Sequence, residues 1–225
     1  MKLLHGNLHA REAKSSWLHV PEKPLARIVD EIKAENGTAF YVKTDVSIED
    51  DCRRLIETAV SVYGTVHILI NNAGLSMRAV FDDVDLGVLH RLMNVNFWGT
   101  VYCTRYALPY LVENKGSLVA VSSVAGFHGL PGRSGYSASK FAITGFLETI
   151  RIENLKSGLH VMVIFPGFTS SNIRIHALTA NGTEQGESPL EEGKLMSPAY
   201  VAKWILKGIR KKKRKEINFL HGKVS

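Results

Sequence analysis

The sequence predicts a doubly wound α/β domain built on a parallel sheet. Three observations carry that reading. The apolar runs Val66–Ile70, Leu118–Val121 and Val161–Phe165 are continuous rather than alternating, as in strands buried on both faces. Helical patterns separate these runs, so strands and helices alternate along the chain. Each run also ends in small, polar or turn-forming residues: Asn71-Asn72-Ala73-Gly74, Ser122-Ser123 and Pro166-Gly167. The carboxyl ends of such strands line the ligand crevice of an open α/β sheet.

Taken in order, residues 1–21 show no coherent period, and Pro21 and Pro24 bracket the junction to the first periodic segment. Leu25, Ile28, Val29 and Ile32 then recur at i, i+3, i+4 and i+7, which predicts an amphipathic helix ending near Asn36-Gly37. Residues 39–44 alternate enough to predict a strand, closed by Asp45-Val46. Ile48, Cys52, Leu55, Ile56, Ala59 and Val60 form the apolar face of a second helix, and Gly64 stops it. After the strand at 66–70, residues 82–114 read as a long helical region around Asn96. A strand comes next at 117–121, then a helix at 137–156 and a strand at 161–165. Residues 168–197 are polar and irregular, with turn signals at Asn181-Gly182 and Gly186, and a loop that long in a compact domain is functional or disordered. A helix over 200–210 and a short strand over 217–220 close the chain.

Composition narrows the function. With 225 residues and 45% hydrophobic content, the chain can build one domain with a full core, and no internal repeat or linker divides it. No apolar stretch approaches the roughly 18 residues that suggest a membrane span, and polar residues interrupt any signal-like start, so cytoplasmic location is the expectation. Cys52 and Cys103 read as core thiols. Nine histidines stand without ligand spacing, so no metal site is expected. The net charge of +7 owes much to the run from Arg210 to Lys215. Without interleaved aromatics that run reads as a solvated helix end, not a nucleic-acid site.

The chemistry concentrates at residues 122–140. Tyr136 and Lys140 stand four apart, on one face of a predicted helix. An ammonium beside a phenol favours the phenolate, so Lys140 is expected to lower the Tyr136 pKa and ready it for proton transfer. Ser123, at the end of the preceding strand, could hold a reacting oxygen. The plain alternative, an incidental i,i+4 surface pair, would win if these residues stood alone.

They do not stand alone. Tyr136-Ser-Ala-Ser-Lys140, with Ser123 thirteen residues upstream, Asn72-Ala73-Gly74 and Pro166-Gly167, resembles the short-chain dehydrogenase/reductase family, classical type. The resemblance runs from about residue 22 to about 220. It implies a Rossmann-like doubly wound sheet and an NAD(P)-dependent oxidoreductase that interconverts a carbonyl and a secondary alcohol. By resemblance Tyr136 is the general acid/base, Lys140 lowers its pKa and bonds the nicotinamide ribose, and Ser123 steadies the substrate oxygen, ahead of its neighbour Ser122. Asn96, in an Asn-x-x-Gly pattern with Gly99, would hold a water that links Lys140 to solvent; the alternative is an asparagine bonded to its own helix. Asn72, Ala73 and Gly74 would face the adenosine, and Asp45 would bond the adenine amino group beside Val46, unless Asp45 only caps a helix. Pro166, Gly167 and Thr169 would wall the nicotinamide. Ser171 stands where the family often has threonine, and a hydroxyl is kept. Leu75, Met77, Phe127, Leu130 and the 168–197 segment are candidates for the substrate wall, which suggests a hydrophobic carbonyl compound. The resemblance also implies a homodimer or homotetramer through the helices near 97–112 and 137–156.

One hallmark is missing. The family carries pyrophosphate on a Thr-Gly-x-x-x-Gly-x-Gly turn after its first, central strand, and residues 1–21 hold a single glycine, Gly6. The chain therefore reads as N-terminally truncated, with an atypical segment at 1–21 and one domain over 22–225. Residues 15–21, recoded in a shifted frame, can give Val-Val-Met-Ala-Ala-Arg-Ser, a fitting second strand with arginine where an adenosine 2′-phosphate would sit. That points to a frameshift upstream of Glu22 and tips the cofactor expectation from NAD towards NADP. The alternative function is an impaired fragment or a non-enzymatic binding protein, because losing two charge-assisted hydrogen bonds to pyrophosphate costs ~3–6 kcal/mol.

Overall fold

The computed structural model describes residues 22–187 and 195–218. Helix α1 spans Glu22–Ala34 and α2 spans Glu49–Tyr63. Strand β1 is Ile68–Asn71; α3 (Leu86–Leu92) and α4 (Gly99–Glu113) lead to β2, Ser117–Val121. Helix α5 (Ser134–Glu153) leads to β3 (His160–Pro166), and α6 (Pro198–Arg210) to β4, Lys215–Asn218. Among the described residues, the strands form one sheet in chain order β1-β2-β3-β4, every pair parallel. Register is fixed by pairs such as Leu69 with Leu118 and Leu118 with Val161.

The sheet is buried from both sides, which is why its strands lack a polar face. In β3 all seven residues are buried. Successive side chains point to opposite faces. Val161, Val163 and Phe165 join Leu69, Leu118, Leu111, Ile143 and Leu147 in one core, with α2, α4 and α5. Met162 and Ile164 join Val119, Val201 and Ile205 in a second core under α6. Burying each of these aliphatic side chains contributes roughly 1.5–3 kcal/mol. Helices on both faces of a parallel sheet are the doubly wound arrangement expected.

Local chemistry sets the element ends. Glu49, Asp50 and Asp51 crowd the first turn of α2, where carboxylates suit the helix dipole. Gly64 ends that helix at φ +81°, and its N–H donates to the Val60 carbonyl at 2.7 Å. Asp45 does not cap α2: Ile48 holds that position, and the Asp45 carboxylate accepts instead from the Ser47 N–H and hydroxyl. Between α3 and α4 the helical path is interrupted by a π-helical turn, Met93–Trp98. The predicted single helical region is thus divided, and the wider turn holds Asn96 within it. Cys52 and Cys103 are buried, the former donating to the Val46 carbonyl.

Two strand predictions change. Among the described residues, 39–44 hold one bridge residue, Phe40, and no strand of the sheet. A strand is defined by its ladder, and no other strand flanks β1 on that side among the described residues. The last strand, Lys215–Asn218 within the described residues, pairs Val163 through Pro166 and begins two residues before the expected start at 217. Residues 1–21, with the expected missing turn, and residues 219–220 lie outside the described residues. The long loop is packed over much of its length. Leu178, buried, bridges Met77; its N–H donates to Ser76 O at 2.9 Å and its carbonyl accepts from the Arg78 N–H at 2.8 Å. Among the described residues no helix is long and apolar enough to cross a membrane.

Candidate active site

The parallel order brings the carboxyl ends of β1, β2 and β3 to one edge, and α5 lays its first turns across them. Ser122 and Ser123 leave β2 in different directions. The Ser122 hydroxyl donates to the Lys140 carbonyl at 3.2 Å and so fastens β2 to α5. Ser123, extended at φ −163°, accepts from the Ala125 N–H at the head of a 3-10 turn, Val124–Gly126. Its hydroxyl also acts on Tyr136, in the direction that favours the phenolate. Ser122 is thus committed to the α5 backbone, and Ser123 is the serine whose hydroxyl acts on Tyr136.

Lys140 lies one turn beyond Tyr136 and is almost fully buried, 3% exposed. Its ammonium donates to Val121 O at 3.0 Å and stands 5.8 Å from the Tyr136 ring centroid. Burial pulls the Lys140 pKa down to about 8. Tyr136 behaves differently from the expectation that Lys140 would lower it. It is only partly buried by surface area, yet desolvation pushes its pKa up; the Ser123 hydroxyl and the Arg133 charge oppose that rise. The favourable cation acting on Tyr136 here is Arg133, and the largest influence is burial, because an apolar surround penalises the phenolate more than nearby donors repay.

Asn96 is fully buried. Its Nδ2 donates to Leu75 O at 2.9 Å and to Ser139 Oγ at 2.8 Å, and its Oδ1 accepts from Leu75 N at 2.7 Å. Ser139 in turn donates to Tyr136 O at 2.8 Å. The amide thus bonds the loop after β1 and α5, not its own helix. Gly74 lies between Asn96 and Lys140: a Cβ there would stand 3.2 Å from both Asn96 Oδ1 and Lys140 Nζ.

On the expected cofactor side, Asn72 is exposed and Ala73 and Gly74 are half-buried at the end of β1. Asn71, before them, is buried and donates to Thr104 Oγ1 at 3.1 Å, fixing this strand end to α4. Val46 is buried against Gly99, where a Cβ would meet Val46 Cγ2 at 2.6 Å, so it supports the crevice from within the core. Pro166 is buried, Gly167 half-buried, and Thr169 Oγ1 donates to Gly167 O at 3.1 Å. Two residues expected on the substrate wall are in the core instead: Met77 and Leu75 are buried, Met77 completely. Phe127 and Phe168 are exposed and Leu130 is half-buried, so these keep an apolar rim.

Sequence reasoning missed Arg133, Ser139 and Leu178. Ser139 lies inside the Tyr-x-x-x-Lys motif, and Arg133 stands one turn before Tyr136; spacing alone could have flagged both. Leu178 had no signal beyond an apolar residue in a polar loop.

Known proteins resemble this chain in family and in fold. The short chain dehydrogenase family model matches residues 6–181. The chain is 39% identical over 150 residues to 11-beta-hydroxysteroid dehydrogenase 1A of Arabidopsis thaliana, covering 66% of this chain and 42% of that protein. It is 38% identical over 176 residues to dehydrogenase/reductase SDR family member 7B of Mus musculus, covering 78% and 54%. The chain spans about half the length of the curated relatives it matches. An alcohol dehydrogenase from the archaeon Thermococcus sibiricus, complexed with 5-hydroxy-NADP, shares the fold with a TM-score of 0.76 at 19% identity, over 88% of this chain and 81% of that one. A short chain dehydrogenase/reductase from Burkholderia phymatum in complex with NAD gives 0.71 at 23% identity, over 88% and 77%.

Proposed function

Because the chain belongs to the short-chain dehydrogenase family, we propose that it is an NAD(P)-dependent oxidoreductase interconverting a carbonyl and a secondary alcohol. The observation that carries this reading is the buried lysine Lys140, one turn of α5 beyond Tyr136 with its ammonium 5.8 Å from the phenol ring centroid, with Ser123 at the adjoining end of β2.

The described residues fit a nicotinamide dinucleotide. Gly74 leaves open the space between Asn96 and Lys140 that a side chain would fill, and Ala73 and Gly74 lie at the carboxyl edge of the sheet. Pro166, Gly167 and Thr169 would wall the nicotinamide; Asp45 and Asn72 would face the adenosine. Bound there, the cofactor supplies or accepts the hydride. NADP is the preferred form on the sequence reading.

Tyr136 gives its proton to the carbonyl oxygen during reduction and takes it back during oxidation. Ser123 donates a hydrogen bond to that same oxygen and keeps it within reach of the phenol. Lys140, one turn of α5 beyond Tyr136, would bond the nicotinamide ribose. Asn96 positions this group by tying the loop after β1 to α5 through Leu75 and Ser139. Proton resupply through a water on Asn96 is part of the proposal. So is a dimer or tetramer through α4 and α5, where Trp98 and Phe141 are exposed.

The test is a fluorescence titration with NADPH and NADH, then turnover of a test ketone. Micromolar affinity with turnover, lost in Tyr136→Phe while cofactor still binds, supports the proposal. A folded chain that binds neither nucleotide refutes it and favours a non-enzymatic binding protein.

A further inference from the structure

The outer face of α6 carries a cluster of cations for which the oxidoreductase reading has no use. The helix rests on the sheet through Val201, Ala202, Trp204, Ile205 and Gly208, all buried. At 3.6 residues per turn these form one stripe, and Tyr200, Lys203, Lys207 and Arg210 fall on the opposite one. Those four are exposed, as is Lys211 just beyond the helix. Lys203, Lys207, Arg210 and Lys211, with half-buried Leu206, line one groove of about 320 Å³.

The chain supplies no acid to this face. From Gly193 to Lys215 it holds no Asp or Glu. Among the described residues none of Lys203, Lys207, Arg210 and Lys211 has an ion pair. The acids next upstream, Glu191 and Glu192, come before the amino end of the helix, and Arg210 stands roughly 18 Å along its axis from Pro198. The next downstream, Glu216, belongs to β4, in the sheet on which the inner face of the helix rests. Other cations of the run at 210–215 serve elsewhere. Lys212 Nζ donates to Lys115 O at 3.5 Å, and Arg214 and Lys215 act on Glu148 of α5.

Every cation of the groove is exposed, so no pocket is built around a single small anion. What these residues build is a positive surface. Three of the four are lysines, point charges on long apolar stems that lie along a surface while the ammonium reaches a phosphate. Leu206 and Tyr200, the latter 45% exposed, add apolar area, as suits a boundary between headgroups and acyl chains. The cations span about 12 Å of helix, and no exposed aromatic stands between them to stack a base, so the patch does not track a nucleic-acid strand. We propose that the outer face of α6 docks the protein reversibly on an anionic phospholipid surface. The inference does not depend on the oxidoreductase reading and is compatible with it. A helix that joins two parallel strands runs against them, so α6 ends at the amino edge of the sheet. Ser123 and Tyr136 lie at the carboxyl edge, away from the docked end.

The test is cosedimentation of the full chain with vesicles of phosphatidylcholine alone and of phosphatidylcholine with about 30% phosphatidylserine. Each cation near an anionic surface strengthens binding about fivefold, so the mixed vesicles should bind about 100-fold more tightly or better. About 1 M salt should remove most of that difference. Lys203→Gln with Lys207→Gln should weaken binding to the mixed vesicles about 25-fold. Lys207→Gln with Arg210→Gln should do the same, and replaces the first pair if thermal unfolding shows that pair misfolded. Lys33→Gln with Lys43→Gln removes the same charge at exposed positions off α6 and should change binding less than about threefold. Equal binding to the two kinds of vesicle, or equal losses in the α6 pair and the control pair, overturns the inference. Tighter binding to a single-stranded oligonucleotide than to the mixed vesicles, lost in the α6 pair, also overturns it and assigns the face to nucleic acid.

Discussion

The amide of Asn96 engages the backbone of Leu75 at both ends, accepting from its N–H at 2.7 Å and donating to its carbonyl at 2.9 Å. Both partners are buried, so the pairing works like a single rung of a sheet supplied by a side chain. Asn96→Ala would strand a backbone donor and acceptor in the core. Each such loss costs about 1–3 kcal/mol, so the variant should lose roughly 2–6 kcal/mol of stability in urea unfolding. A loss under about 0.5 kcal/mol would show that the loop after β1 does not depend on this clamp.

Lys140 is held in a region that disfavours its charge. Its folded pKa of about 8 lies below its ordinary 10.5. Between those values the unfolded chain binds more protons than the folded one, so this residue's contribution to stability rises with pH through that window. Below pH 8 the folded state carries the full burden of the buried ammonium. Lys140→Met should therefore be more stable than the natural chain at pH 7, by about 1–3 kcal/mol after the lost bond to Val121 is counted. The gain should fade towards pH 10, while ketone turnover is lost. Thermal unfolding of both proteins across pH 6–10 gives the comparison; a gain that does not vary with pH contradicts it.

His160 provides a second titration, far from the site. Its Nε2 faces the Lys213 carbonyl at 2.8 Å and must donate, which leaves Nδ1 to accept from the Ser117 hydroxyl at 3.0 Å. The ring is thus neutral, and burial lowers its pKa below 6.5. A base with a depressed folded pKa contributes its stability above 6.5 and loses it as pH falls through the folded value. The natural chain should lose more stability than His160→Gln between pH 7 and pH 5. Parallel losses in the two proteins would mean that His160 is not the group being protonated.

Gly126 is where β2 and α5 come closest. A Cβ there would collide with Ser122 Oγ and lie 2.9 Å from the Lys140 carbonyl oxygen. The second of these contacts is backbone, so the 3-10 turn must shift. Gly126→Ala should cost roughly 1–3 kcal/mol, as overpacking does, and reduce ketone turnover more than cofactor affinity, because the displaced turn begins at Ser123. Turnover at the natural level in a stable Gly126→Ala protein would show that the contact is slack.

Much of this architecture was legible in the chain. Continuous apolar runs gave β1, β2 and β3, and 3.6-residue periodicity gave α1 and α2, because burial on two faces and on one face leaves different patterns. The grouping of Ser123, Tyr136, Lys140 and Asn96 was legible through motif spacing. What escaped depended on three-dimensional neighbours. Residues 39–44 have strand-like composition, but among the described residues only Phe40 makes a bridge, and the length of a ladder is not recorded in composition. Leu75 and Met77 looked like a substrate wall because apolar residues beside a motif suit either a wall or a core. The direction of the Tyr136 shift was misread because a helical wheel shows the nearby lysine but not the depth of burial, and desolvation outweighs the opposing influence of Ser123 and Arg133. Arg133 was passed over because its meaning lies in Ser76 and Met77, more than 50 residues away.

The chain-order sequence of strands also bears on how the molecule forms. Each new strand, from β2 to β4, docks beside the one made just before it, with the intervening helices returning the chain to the same edge. Among the described strands, none must be inserted between two already paired. Assembly can therefore proceed from β1 outwards as the polypeptide leaves the ribosome, each addition offering a finished template to the next. Tyr136 and Lys140 reach Ser123 when α5 docks on β2 and do not require β4, so the reactive cluster can close before synthesis of the chain is complete.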